Sequence, residues 1–322
     1  MSAAFDWYEC SLDGLKLDLS IRRYRDLYAN YTGKEELTAR VFARELLQLI
    51  ADDQAFGVEM EKNSWRLDDF ELRKERGFNH YRCCLVCYTP LRVSLFRLLW
   101  SPGTSIHLIS SGKRSPLVSS AVRKLCPLHY VTRADSALDF DQAGDWLRLV
   151  NLSEQIREGV LLGRRLSSTQ VLQDDETGGK TYYLGSLKST CFMRIYDKTI
   201  EQRHNAPKHL RATIPDNWTR AEIVSRPDDK ERRLFLAKCA PDDVWSSSPA
   251  MAEFYKAVCA GEIGHMPKAA PRVEDFNKAW WTMLQQYKRT IAWGLKISGG
   301  SWPELAARMQ HDMAVADLLD EM

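Results

Sequence analysis

An α+β fold, with a large, mainly antiparallel sheet flanked by helices and a helical C-terminal region, is what this sequence predicts. Three observations carry it. Alternating apolar runs bounded by turn signals recur up to about residue 226. Helical patterns lie between them. Beyond Pro227 the strand signals stop and only helical spacing remains. The expected division is a β-rich α+β region over 1–235 and a helical region over 236–322.

Residues 5–12 (FDWYECSL) alternate and predict a first strand. Thr32 and Glu35 have capping-box spacing, and Leu37, Val41, Phe42, Leu46, Leu49 and Ile50 repeat at helical intervals, which predicts a helix to about Ala51. Residues 55–72 match neither period. Strands are expected over 81–93 and 105–110. Ser115-Pro116 supplies an N-cap and a first-turn proline for a helix that Pro127 ends. Val131 to Asp141 reads as a strand, 142–162 as an amphipathic helix closed by Gly163, and 166–173 as a strand. Lys180 to Lys198 (KTYYLGSLKSTCFMRIYDK) is two alternating runs around a polar turn, a β-hairpin. Trp218 to Arg226 is the last strand. Helices follow over 230–240, 248–260 and 273–297, and from Trp302 onward. On the longest of them Phe276, Trp280, Met283, Leu284, Tyr287, Ile291 and Leu295 share one face, a packing stripe.

Composition excludes several classes. Of the 322 residues, 44% are hydrophobic and 27% charged, which is globular rather than disordered. No apolar run reaches the roughly 18 residues that span a bilayer, and the first residues lack the basic-then-apolar order of a signal peptide. Eight cysteines without a secretion signal read as reduced thiols in the cytoplasm. The net charge of +2 hides an asymmetry: between Arg73 and Arg133 there are eleven Lys or Arg and one acid, Glu75. Such a run suits a polyanion, or a surface balanced by acids from elsewhere in the chain.

Within the hairpin, the period of two puts Thr181, Tyr183 and Gly185 on one side and Tyr182 and Leu184 on the other. Arg194, Tyr196 and Lys198 form a polar row. A tyrosine facing fixed cations suits phosphoryl transfer, although the hairpin alone does not separate this from ordinary ion-paired sheet. Asp135 and Asp139 share a strand face with Arg133, and Glu222 stands beside Arg220 on another strand. Clustered carboxylates suit Mg²⁺ or Mn²⁺, and equally suit surface ion pairs. Gly179-Lys180-Thr181 lacks the earlier glycine of a P-loop. The Cys84/Cys87 spacing has no second ligand pair, and no His-x-His occurs.

VTRADSALDFD, TYYLGSLKSTCFMRIYDK and TRAEIVSRP, in this order, resemble the Rep_trans-type replication initiation factors. That family includes rolling-circle plasmid initiators, relaxases of conjugative elements and filamentous-phage replication proteins. The resemblance extends loosely from FDWYECS to QQYKRTIAWGLKISGGSWPEL, and the C-terminal half is most like the phage or prophage branch. It implies a metal-dependent, origin-specific DNA nickase and strand transferase working through a 5′-phosphotyrosine and leaving a 3′-hydroxyl primer. Tyr183 falls on the nucleophile of a Thr-apolar-Tyr-apolar-Gly-Ser pattern. Tyr182 fills a usually aliphatic slot, and Leu187 stands where arginine is frequent. Arg194 and Lys198 are implied to hold the phosphate, and Asp135, Asp139 and Glu222 to hold Mg²⁺ or Mn²⁺. Arg133, Lys188, Tyr196, Arg220, Lys113 and Arg114 are implied DNA contacts. The implied partners are origin DNA (duplex or extruded single strand), host helicase and polymerase, and a second copy in a homodimer. A relaxase with the same chemistry, or an origin-binding protein that does not nick, are the alternative readings.

Overall fold

Alternation along the strands dictates the architecture: one set of side chains is apolar and needs a cover of helices, while the other is largely charged. In the computed structural model, residues 2–12, 34–100, 105–161, 169–173, 178–259, 263–267 and 276–320 are described. Ten strands form a single sheet: β1 (Ala4–Ser11), β2 (Glu71–Arg76), β3 (Cys83–Tyr88), β4 (Ser94–Trp100), β5 (His107–Ser111), β6 (Tyr130–Phe140), β7 (Thr169–Gln173), β8 (Lys180–Leu184), β9 (Cys191–Asp197) and β10 (Thr219–Ser225). Their spatial order is β2-β3-β4-β5-β1-β6-β10-β9-β8-β7, and every neighbouring pair is antiparallel. The described helices are α1 (Lys34–Ala51), α2 (Gln54–Lys62), α3 (Ser115–Leu125), α4 (Asp145–Arg157), α5 (Lys198–Asn205), α6 (Lys230–Lys238), α7 (Pro249–Cys259), α8 (Phe276–Ile297) and α9 (Trp302–Asp320).

The main core lies between one sheet face and the helices. Tyr8, Leu98, Leu108, Ala134, Leu138, Ile195 and Ile223 from the strands meet Phe42, Leu46, Val118, Leu149 and Leu236 from α1, α3, α4 and α6. Trp245, in the short 3-10 segment before α7, is fully buried, stacks on Phe254 and donates through its indole N–H to Ser136 Oγ at 3.2 Å. A smaller cluster of Cys84, Val86, Leu99 and Ile109 occupies the other face of β3–β5. Cys84 and Cys87 therefore point to opposite faces and share no site, and all eight cysteines are free thiols.

Several elements differ from the sequence expectation. The span expected as one strand over 81–93 is β3 followed by a turn, in which the Arg92 N–H donates to Thr89 O at 2.8 Å. Neither β2 nor β4 is anticipated by pattern. β2 (ELRKER) is an edge strand with almost no apolar residues, and β4 (SLFRLLW) is too uniformly apolar to alternate. Lys198 does not extend the strand row but opens α5, where the Asp197 carboxylate accepts the Ile200 N–H at 2.9 Å. Thr32, the expected cap of the first helix, lies outside the described residues.

The chain divides into compact units over 1–269 and 270–322, so the break falls later than 235/236. The cause is that α6 and α7 contribute Leu236, Met251 and Phe254 to the sheet's own core. Within the second unit, Ile291 and Leu295 are partly buried, but Tyr287, expected in the same packing stripe, is 49% exposed. The side chains of 276–286 are outside the description. Among the described residues no helix is long and apolar enough to cross a membrane.

Candidate active site on the charged sheet face

Register converts the alternation of separate strands into one row. Tyr183 on β8 stands opposite Arg194 on β9, and Arg194 stands opposite Glu222 on β10. Glu222 stands opposite Ala137 on β6, midway between Asp135 and Asp139. Directly paired residues share a face with Cβ atoms about 4.5–5.5 Å apart, so Tyr183, Arg194 and Glu222 run in line towards Asp135. Tyr182 points the other way. It is 1% exposed inside the main core, where burial and the Glu154 carboxylate raise its ionisation well above the ordinary phenol range. Of the adjacent tyrosines only Tyr183, partly buried against the Phe192 ring at 6.3 Å, faces the charged row.

Asp135 and Glu222 are buried, at 1% and 0% exposure. Arg133 holds Asp135 with two bonds, from Nε at 2.8 Å and from Nη2 at 2.5 Å. Arg194 Nη2 donates to Glu222 Oε1 at 2.6 Å, and the Tyr196 hydroxyl donates to Oε2 at 3.1 Å. Burial pushes the Asp135 carboxyl up to about 7; Arg133 pulls it down, while the Glu222 charge adds to the rise. Burial disfavours the charge on Arg194, and the Glu222 carboxylate more than offsets it, so that guanidinium is held protonated. Lys198 is buried; its Nζ pairs with Glu201 at 2.5 Å and donates to the Tyr196 hydroxyl at 3.4 Å. It therefore reaches the row through Tyr196 rather than beside it.

Asp139 does not join the carboxylate pair. It accepts from Arg220 Nε and Nη2 at 2.7 and 2.8 Å and from the Trp218 indole at 2.7 Å. Arg220 also donates to Asp6 at 2.7 Å. Four residues of strand separate Asp135 from Asp139 by about 13 Å, and oxygen ligands sit only about 2.0–2.6 Å from Mg²⁺ or Ca²⁺ ions, so one ion does not bridge both. Among the described residues no three His, Cys, Asp or Glu side chains gather at one point. Asp135 and Glu222 remain two hard oxygen donors in repulsive proximity, a pair that suits a divalent cation.

The remaining residues expected to touch DNA are scattered. Lys188 is exposed in the turn after Tyr183. Lys113 is exposed beside α2, and Arg114 is clamped to Glu59 by bonds of 2.6 and 2.5 Å with its guanidinium over Phe56. Arg133, Tyr196 and Arg220 are each bonded to a carboxylate. The basic run from 73 to 133 is similarly divided: Arg73 binds Glu71, Lys74 binds Glu36, and Arg123 lies over the Phe5 and Tyr8 rings.

The replication initiation factor model, Rep_trans, matches residues 129–291, just over half of the chain and all of the site strands from β6 onward. The chain belongs to the replication initiation factor family. Its fold is similar to that of the rolling circle replication initiator protein from Geobacillus stearothermophilus, with 15% identity over 83% of this chain and 99% of that one and a TM-score of 0.46. No curated protein matches this initiation factor.

Residues that sequence reasoning passed over also line the initiation factor's row. Asp6 and Trp218 complete the bonding of Arg220 and Asp139, and Trp7 lies under the Arg133 guanidinium at 4.5 Å. Arg226 lies over Phe192 at 5.3 Å. Trp218 and Arg226 carried a usable signal: both continue the period of two that runs through Arg220, Glu222 and Val224. Asp6 and Trp7 enter the row because β1 pairs with β6, a long-range choice that no local pattern encodes.

Proposed function

We propose that this initiation factor starts rolling-circle replication by nicking and resealing origin DNA through a 5′-phosphotyrosine at Tyr183. The observation that carries this reading is the direction of the tyrosine pair: Tyr183, and not Tyr182, shares a face with Arg194 and the Asp135–Glu222 pair. Tyr183 Oη attacks the scissile phosphorus and forms a phosphotyrosine, and the departing 3′-oxygen becomes the primer end for a host polymerase, with a host helicase opening the duplex. Arg194 stands opposite the nucleophile across the β8–β9 pairing and sets a fixed guanidinium beside the place where the phosphate is attacked. Lys198 supports that arrangement through Tyr196 and Glu222. Asp135 and Glu222 would hold Mg²⁺ or Mn²⁺, which when bound neutralises phosphate charge. In this reading Asp139 orients Arg220 and Trp218, and Lys188 meets the strand beside the nick. The protein works in the cytoplasm on a phage, plasmid or related mobile element.

The test uses a 3′-labelled single strand carrying the element's origin, incubated with Mn²⁺ and resolved under denaturing conditions. A covalent protein–DNA band is expected for the parental chain and for Tyr182→Phe, and none for Tyr183→Phe. A band that survives Tyr183→Phe removes Tyr183 from the role.

A further inference from the structure

Arg226 is the first residue past β10, on the side of the sheet that carries Glu222 and Val224. Its N–H donates to Thr190 O at 2.7 Å, which carries the β10–β9 pairing one step beyond the strand. Its Nη1 donates to Leu187 O at 3.3 Å, in the turn that follows Tyr183. The guanidinium lies over the Phe192 ring at 5.3 Å, and the same ring lies 6.3 Å from the ring of Tyr183. Phe192 is thus a common floor for the two side chains, and the turn carbonyl fixes the direction of the arginine.

Its charge is handled differently from the others in the row. Arg133, Arg194 and Arg220 are each bonded to a carboxylate. The Arg226 side chain donates instead to a neutral carbonyl, that of Leu187, and the residue is exposed. Burial of part of the side chain lowers its ionisation, Arg133 pushes the same way, and attraction to Asp135 and Glu9 does not fully offset them. Arg133 and Arg194 are each bonded to a carboxylate (Asp135 and Glu222), whereas no carboxylate among the described residues is bonded to Arg226, so its guanidinium is placed to meet the single negative charge of a phosphodiester.

We propose that Arg226 is a catalytic residue whose guanidinium receives the scissile phosphodiester above Phe192 and stabilises its oxygens while Tyr183 attacks. The proposal rests on the reading of Tyr183 as nucleophile. In the step, Tyr183 Oη gives its proton to water and forms the new O–P bond. The P–O bond to the 3′-oxygen breaks, and that oxygen takes a proton from water. Arg226 keeps its protons throughout and acts by charge and by its forked donors, which fit two phosphate oxygens at once in a way a lysine does not.

The experiment traps covalent product from a 3′-labelled random-sequence single-strand pool with Mn²⁺, then measures single-turnover rates on one strand recovered from that product. Arg226→Ala is expected to slow adduct formation by about 10²–10³-fold, the scale for loss of one anion-stabilising donor, while strand binding weakens far less. Arg226→Lys should fall between the two, with an unchanged melting temperature. Free guanidinium ion at millimolar concentration should restore part of the Arg226→Ala rate, which a purely architectural role does not give. Either variant reacting at close to the parental rate overturns the proposal. So does a slow Arg226→Ala chain that guanidinium leaves slow. Adduct formation by Tyr183→Phe would remove the nucleophile and this proposal together. An inert Tyr183→Phe beside a fast Arg226→Ala would remove Arg226 alone.

Discussion

Tyr182 and Tyr183 are chemically identical neighbours, and only the direction of a Cα–Cβ bond separates a core residue from a candidate nucleophile. A similar sorting by surroundings governs His129. It is buried; its Nδ1 donates to Cys126 O at 2.6 Å and its Nε2 accepts from the Tyr8 hydroxyl at 2.5 Å. Burial lowers the ionisation of His129 to about 4 from an ordinary 6.5, despite the Cys126 carbonyl. The unfolded chain therefore binds this proton more readily than the folded one between those values. The stability contributed is whole above pH 6.5 and is lost as pH falls through 4, about 3 kcal/mol in all at about 1.4 kcal/mol per pH unit. Urea unfolding at pH 7, 5 and 4 should show His129→Gln losing less across that window than the parental chain. Equal losses would place the acid sensitivity elsewhere.

Among the elements, the β8–β9 hairpin carries most of what sequence could reveal. Its period of two separates the tyrosines, and the same period puts Arg194 and Glu222 on matching faces of their strands. What a single strand does not disclose is which residue of its neighbour it meets. Asp139 therefore looked like a partner of Asp135, whereas register and the Arg220 guanidinium hold it apart. The strands β2 and β4 escaped notice for a different reason, since a charged edge and a uniformly apolar interior strand both erase alternation. The hairpin's turn is specified by Gly185, whose φ of +94° is left-handed and whose added Cβ would sit 3.4 Å from Phe192 Cβ. Gly185→Ala should cost roughly 1 kcal/mol or more of stability. It should also slow adduct formation by more than that loss explains, because the strain falls between Tyr183 and Phe192. Chemical denaturation paired with single-turnover rates checks it, and an unchanged rate would detach the turn from the site.

At the scale of the molecule, every residue of the proposed site belongs to the unit that ends at 269, although the family match continues to 291. The core of that unit is closed by α6, α7 and Trp245 from within its own span. A chain ending at Ala269 should unfold in one cooperative transition and still form the Tyr183 adduct. A non-cooperative melt, or a folded but inert product, would show that the last helices complete the site. Strand order adds a difference in tempo. Asp135 and Glu222 lie on β6 and β10 in the interior of the sheet, whereas Tyr183 is on β8, one strand from its border at β7. Sheet borders open more often than interiors, so backbone amides of 180–184 should exchange with deuterium before those of 131–139 and 219–225. In a reaction that must hold a DNA end and later give it back, the tether then sits on the part of the sheet that yields, while the carboxylates keep their place.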